Sequence, residues 1–328
     1  MLYADSMKAI QITRLDGPEA VEIVDIDEPV VGDGQVLIAV HAAGVSFPEV
    51  LQTRGLYQLK PPLPFVPGSE IAGEVISADE DSAFKPGDRV AAFVMLGGFA
   101  EQAVAQEEMI FALPDSVSFE EGAAIPLNYL TAHFTLVERG RLAEGESVLI
   151  HGAAGGVGTA SIQIAKVFGA GHVIAVTSTV EKGAVALEAG ADEFVLADGF
   201  KDRVKELTDG NGVDIIVDPV GGDRFTDSLR ALAEDGRLLV IGFTAGEIPT
   251  VQVNRLLLNN ISVVGVGWGA YVLKRAGYVA KEWAQILPHI ESGAIKPPLG
   301  AAFALDRAGE ALTLIDSRGA TGKVLLTP

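Results

Sequence analysis

The residues with the plainest chemistry in this chain are glycines. From Ser147 to Ala170 it reads SVLIHGAAGGVGTASIQIAKVFGA: an apolar strand run, a tight small-residue turn and a helical run. Ala153, Gly155 and Gly158 occupy the three positions of a G-x-G-x-x-G fingerprint, with alanine at the first. Gly155 would let the backbone approach a pyrophosphate, and Gly158 would let the helix pack closely on the strand. A helix beginning near Gly156 offers N–H groups and a partial positive charge to that anion. Small residues also punctuate ordinary turns, but here they follow a strand and open a helix. The turn is therefore expected to hold a dinucleotide through Ala154, Gly155, Gly156 and Val157.

The next strand run separates NADH from NADPH. An acid at its end, about 20 residues on, would hold a ribose 2′-hydroxyl. Residues 173–182 read VIAVTSTVEK, with hydroxyls at Thr177, Ser178 and Thr179 and a cation at Lys182. That set suits a 2′-phosphate, so NADPH is the expected cofactor, with Ser178 and Lys182 as its contacts. Glu181 is the contrary charge and has to point away. The competing reading of Lys182 is a solvated helix residue.

Composition removes other chemistries. There is no cysteine, hence no disulfide, thiolate catalysis or Cys-based zinc site, and none of the five histidines has metal-ligand spacing. No metal is expected. His133, on an amphipathic helical run, and His151, at a strand end, read as structural. With 24 basic and 44 acidic side chains the formal charge is −20, which argues against a nucleic-acid partner. Mean hydropathy is +0.33. The uncharged stretch Leu256–Leu273 holds Asn259, Asn260 and three glycines, so it reads as a buried strand and loop rather than a membrane span. MLYADSMKAI shows no signal-peptide succession, Met7 competes with Met1 as the start, and a cytoplasmic location is expected.

These residues need elements to position them. Residues 7 to about 120 read as all-β, with alternating runs such as Gln35–Ala42 and Arg89–Phe93 between Gly and Pro turn signals. Residues 118–140 read as one helix with Ser118 as N-cap and Glu121 three residues on. Strand runs then alternate with helical runs: Ser147–His151, Val173–Thr177, Glu193–Leu196, Val213–Val217, Arg237–Gly242 and a last one in NISVVGVGWG. Apolar strands joined by helices predict a parallel sheet covered on both faces. A helical stretch at about 271–292 and a tail ending GKVLLTP follow; the tail is expected to return to the N-terminal β-domain.

Five segments together resemble one family: GVSFPEVLQTRGLY (44–57), PFVPGSEIAGEV (64–75), PLNYLTAHF (126–134), HGAAGGVGTA (151–160) and GATGKVLL (319–326). The chain is similar over nearly all of residues 7–328 to the zinc-independent quinone oxidoreductases (NADPH:quinone reductases) of the medium-chain dehydrogenase/reductase superfamily. The resemblance implies an α/β protein: a GroES-like β-barrel catalytic domain (1–125 and 267–328), a Rossmann doubly wound parallel-sheet domain (126–266) that binds NADPH, and an active cleft between them. It also implies a homodimer joined through the last Rossmann strand. Zinc-dependent relatives have a G-H-E run whose histidine binds metal; here the same place reads Gly68-Ser69-Glu70.

The resemblance further implies hydride transfer to a quinone or related conjugated carbonyl, with an oxyanion to be stabilised. Ser46 stands where the family most often has asparagine, and Glu49 where it has aspartate. Tyr57 resembles a tyrosine proposed as proton donor in related enoyl reductases; it serves either that role or the cleft wall. Asn128, Thr131, Gly242 and Phe243 are carried over to the nicotinamide side, and Arg318 to the phosphate end. Arg54 reads as structural, tied to Glu49 or another carboxylate. The enzyme alternative is an enoyl-thioester or enone reductase; the other class is a non-catalytic cofactor-binding protein.

Overall fold

The computed structural model describes residues 6–328. The extension before Met7 considered above lies, through residue 5, outside them. Two compact units make up the chain: 1–127 with 279–283 and 297–328, and 128–278 with 284–296. The sequence reading assigned 267–328 as a whole to the first domain. In the structure 267–278 and 284–296 cluster with the second unit, and the helix Tyr278–Glu291 contributes to both.

In the first unit, the strand Gln35–Val45 is the hub of a seven-stranded sheet. It pairs antiparallel with Glu70–Ser77, Gln102–Gln106 and the C-terminal Lys323–Thr327. The tail thus returns to the N-terminal β-unit. Leu299–Ala304 extends the sheet beyond it as a parallel neighbour, and Arg89–Phe93 and Ile110–Ala112 extend the other side. Ser6–Ile12 and Val21–Asp27 form a separate hairpin. Ile38, Val40, Ile71, Val90, Phe99, Leu312 and Leu326 belong to the core under the seven-stranded sheet. The expectation of an all-β segment misses one short helix, Phe47–Gln52, directly after Ser46. Glu49 lies three residues after Ser46 and accepts a hydrogen bond from the Ser46 N–H at 2.9 Å, which starts the helix.

The second unit carries a six-stranded parallel sheet. In chain order its strands are His151-ended Ser147–His151, then His172–Thr177, Glu193–Leu196, Val213–Asp218, Leu232–Val240 and Ser262–Gly265. Their spatial order is third, second, first, fourth, fifth, sixth. This is the doubly wound Rossmann order, whose reversal beside the first strand leaves a crevice at the strand ends. Leu149, Ile174, Val213, Ile216 and Leu238 are buried in its core. The single helix expected over 118–140 is two. Phe119–Gly122 is capped by Ser118 with Glu121, and a second helix runs from Pro126 to His133 and continues as a π-helix to Arg139. Pro126 lacks the N–H that would continue the first helix, but it suits a first helical turn.

Candidate active site

The glycine turn lies at the C-terminal end of the first strand of the parallel sheet. Gly152 has φ +60°, and Gly155 is the extended N-cap of the helix Gly156–Val167. A Cβ at Gly158 would collide with the Gly152 carbonyl and with Ala153 backbone at 2.6 Å, so this glycine is what lets helix and turn touch. At Gly155 a Cβ would meet only the Gly152 oxygen at 3.5 Å. No protein packing therefore requires glycine at 155, and the bare face of the turn fits the approach of a pyrophosphate. The Thr159 N–H to Gly155 carbonyl bond, 2.9 Å, closes the first helical turn. The N–H groups of 156–158 precede it and have no intrahelical acceptor.

Asn128 is brought against this turn. It is buried, and a Cβ on Gly156 would strike its Nδ2. Thr131, one helical turn further, is buried too, and its carbonyl accepts the Thr135 hydroxyl at 2.6 Å. Gly242 and Phe243 follow the strand Leu232–Val240 in a corner fixed by backbone bonds: Ile241 N–H to the Asp218 carbonyl (3.0 Å), Thr244 to Pro219 (3.1 Å) and Ala245 to Val220 (3.0 Å). Asp218 secures the corner by accepting the N–H groups of Val220 and Gly221, both at 2.9 Å.

At the end of the second strand, Ser178 is exposed and Lys182 half-buried. Thr179 caps the helix Val180–Glu188, its Oγ1 accepting the Lys182 N–H at 3.3 Å. Glu181 lies in the first turn of the same helix. Its carboxylate takes hydrogen bonds from its own N–H and the Thr179 hydroxyl, which hold it below the usual carboxylate range. The N–H groups of a helix start attract a carboxylate, and this one is exposed.

The two histidines near these elements are buried. His133 Nε2 meets Gln285 Oε1 at 3.0 Å, and its ring stands edge-on to Phe168. His151 Nε2 meets Ser228 Oγ at 2.8 Å, while Nδ1 has no partner. Burial pushes the His151 imidazole down to about 4, opposed by the Asp218 charge, so it is neutral near pH 7.

In the first unit Ser46 belongs to a buried polar group. Its Oγ accepts a hydrogen bond from Lys323 Nζ at 2.7 Å and lies 3.4 Å from Glu70 Oε1. Lys323 and Glu70 form an ion pair, with side chains 3% and 0% exposed. The other Glu70 oxygen accepts the Leu127 N–H at 2.9 Å. Glu49 is bonded by the Ser46 N–H and by the Ser69 hydroxyl. Desolvation raises the Glu49 carboxyl to about 7, despite the lowering effects of Ser69 and Lys323. Tyr57, half-buried in the following loop, is raised as well, by burial and then by the Glu49 charge. It therefore stays a protonated donor through neutral pH. Arg54 is structural but not tied to Glu49: it grips Asp316 through two bonds of 2.9 and 2.6 Å. Arg318 is exposed at φ +58° and acts electrostatically on the same Asp316.

Sequence reasoning singled out Ser46 and Tyr57 but not Lys323 and Glu70, which pack against Ser46. The signal was a lysine in GKVLL, charged at the head of an apolar strand, where a buried cation needs a partner. Among the described residues no group of three or more His, Asp or Glu side chains could hold a metal ion.

Comparison with known proteins agrees with this architecture. Residues 32–115 match a family model described as an alcohol dehydrogenase GroES-like domain, and 156–292 one described as a zinc-binding dehydrogenase. The chain is 38% identical over 323 residues to quinone oxidoreductase-like protein 2 of Rattus norvegicus, covering 98% of this chain and 92% of that protein. Among solved structures it resembles a probable oxidoreductase from Mycobacterium abscessus, with 43% identity, TM-score 0.91 and coverage of 99% and 100%. It also resembles the quinone oxidoreductase of Thermus thermophilus, solved with NADPH, with 34% identity, TM-score 0.85 and coverage of 98% and 100%.

Proposed function

The chain belongs to the zinc-independent quinone oxidoreductase family of the medium-chain dehydrogenase/reductase superfamily, and from that premise we propose that it is an NADPH-dependent reductase of quinones and related conjugated carbonyls. The observation that carries the reading is the turn at 152–158, where the bare face of Gly155 adjoins the helix start whose first N–H groups, 156–158, have no intrahelical acceptor. When bound, NADPH supplies the hydride. The residues of the chain do the rest.

Ala154, Gly155, Gly156 and Val157 hold the pyrophosphate. Asn128, Thr131, Gly242 and Phe243 orient the nicotinamide; Ser178 and Lys182 take the 2′-phosphate, the Glu181 carboxylate giving way. Arg318 serves the phosphate end. Ser46 and Tyr57 donate hydrogen bonds to the oxyanion that forms on the acceptor. No cation from a metal is needed for this, because two neutral hydroxyl donors and a buried ammonium are present.

The protein acts as a homodimer joined through Ser262–Gly265, the edge strand of the parallel sheet. No helix among the described residues is long and apolar enough to cross a membrane. A chain without cysteine suits a reducing compartment, and we place it in the cytoplasm.

NADPH oxidation with 1,4-benzoquinone, duroquinone, an enone and crotonyl-CoA tests the assignment. The quinones are expected to turn over fastest. Preference for crotonyl-CoA would move the protein to the enoyl-thioester reductases. No turnover with any acceptor, despite measurable NADPH binding, would leave a cofactor-binding protein without this activity.

A further inference from the structure

The Lys323 ammonium is buried beside Ser46, and its role deepens, and rests on, the reductase reading. Of its three N–H donors, one meets Glu70 Oε1 and one meets Ser46 Oγ at 2.7 Å. Glu70 is engaged through its second oxygen by the Leu127 N–H. Having accepted from Lys323, the Ser46 hydroxyl still has a proton to donate. Within the group its one acceptor is Glu70 Oε1, at 3.4 Å and already engaged by the ammonium. So the hydroxyl is held as an accepting partner of the cation, with its donor poorly used.

The strand opposite is adapted to seat this pair. Gly44 faces it, and a Cβ there would meet Lys323 Cε at 2.5 Å, Ala123 O at 2.6 Å and Glu70 Cγ at 2.7 Å. Burying an ion pair costs several kcal/mol of desolvation per ion, and apolar residues of the same volume often serve stability as well or better. A pair kept only to fill space would have no use for a hydroxyl in its midst.

We propose that Lys323 is a positioning residue for the reduction: it fixes the Ser46 hydroxyl as a donor, polarises it, and so strengthens its hydrogen bond to the oxyanion formed on the acceptor. As the hydride with its electron pair bonds to the acceptor, a π pair of the acceptor moves onto its oxygen. Ser46 hydrogen-bonds that oxygen, and solvent later supplies the proton that completes the reduction. Neither Ser46 nor Lys323 changes its own proton count. The cation acts on the acceptor only through Ser46.

Duroquinone gives a more basic oxyanion than 1,4-benzoquinone, so its reduction leans harder on a strong donor. The experiment measures kcat and KM for both quinones in wild type, Ser46→Ala, Lys323→Met with Glu70→Gln, and all three changes together. The paired replacement removes both charges of the ion pair together. Ser46→Ala is expected to lower the duroquinone-to-benzoquinone kcat ratio about fivefold, with KM values moving far less. The lysine–glutamate replacement should lower it by the same factor. The triple variant should show little further loss, because one group works through the other.

NADPH affinity, read by fluorescence, reports the fold of each variant independently of turnover. Multiplying losses would overturn the proposal. So would an unchanged ratio in Ser46→Ala, whether or not the paired variant folds. A wild type inactive with both quinones would overturn the reductase reading itself, and the coupling with it.

Discussion

Glu49 is a carboxyl with almost no water to solvate its charge. It is 1% exposed, and burial lifts it from 4.5 to about 7. Between those values the unfolded chain has lost the proton while the folded chain keeps it, so stability falls as pH rises from about 4.5 to 7 and is level above. The full span corresponds to roughly 3 kcal/mol at about 1.4 kcal/mol per unit. Glu49→Gln keeps an acceptor for the Ser46 N–H and cannot ionise. Denaturant unfolding at pH 8 should find it more stable than wild type by up to about that amount, with the gain vanishing near pH 4.5. A gain independent of pH would mean the carboxyl is not the titrating group. At the other recognition point, Lys182→Ala should raise KM for NADPH at least about tenfold more than KM for NADH, since only the former has the 2′-phosphate. Equal effects in steady-state kinetics would remove Lys182 from that site.

Elements were more legible in the sequence than side-chain groupings. Arg89–Phe93, Ser147–His151 and Glu193–Leu196 appear in the structure with the limits read from apolar runs and turn residues, because strand propensity and glycine punctuation are local. The break at Pro126 was equally local, yet apolar residues at helical spacing on both sides concealed it. The group around Ser46 could not be read in that way. Ser46, Ser69 with Glu70, and Lys323 come from three separate places in the chain, and only sheet pairing of 35–45 with 70–77 and 323–327 assembles them. Glu181 is the local case: its partners are its own N–H and Thr179 at the helix start, contacts the charge argument did not consider. The glycine turn was legible as a strand, a tight turn and a helix in that order. Gly158→Ala gains up to about 1 kcal/mol of helix propensity. It sets that against a Cβ driven into the backbone of Gly152 and Ala153, a misfit worth about 3 kcal/mol or more. Urea unfolding should show a net loss of about 2 kcal/mol, together with weaker NADPH binding. A stabilised variant would show that helix and turn are not in the close contact described.

For the molecule as a whole, the open question of physics is one sheet edge. Ser262–Gly265 pairs with Leu232–Val240 on one side and, among the described residues, with no strand on the other. Unpaired edges invite association unless covered. The helix just before it, Asn254–Asn259, buries none of its residues and presents Leu257 at 76% and Leu258 at 74% exposure, with Val253 at 72% beside it. Clustered apolar exposure of this kind marks an interaction face. Opposing association is the charge of −20 on each chain. Beyond roughly 8 Å that repulsion is screened at physiological salt, whereas each leucine buried contributes about 1.5–3 kcal/mol whatever the salt. Burial should win. Light scattering in 150 mM salt is expected to give twice the 34.2 kDa chain mass. Lowering the salt should weaken the dimer, because like charges are then felt at longer range. Replacing Leu257 and Leu258 by Glu should give a folded monomer, with far-ultraviolet circular dichroism unchanged. A wild type of single-chain mass at micromolar concentration, or a double variant that stays dimeric, would show that this edge is not the dimer interface.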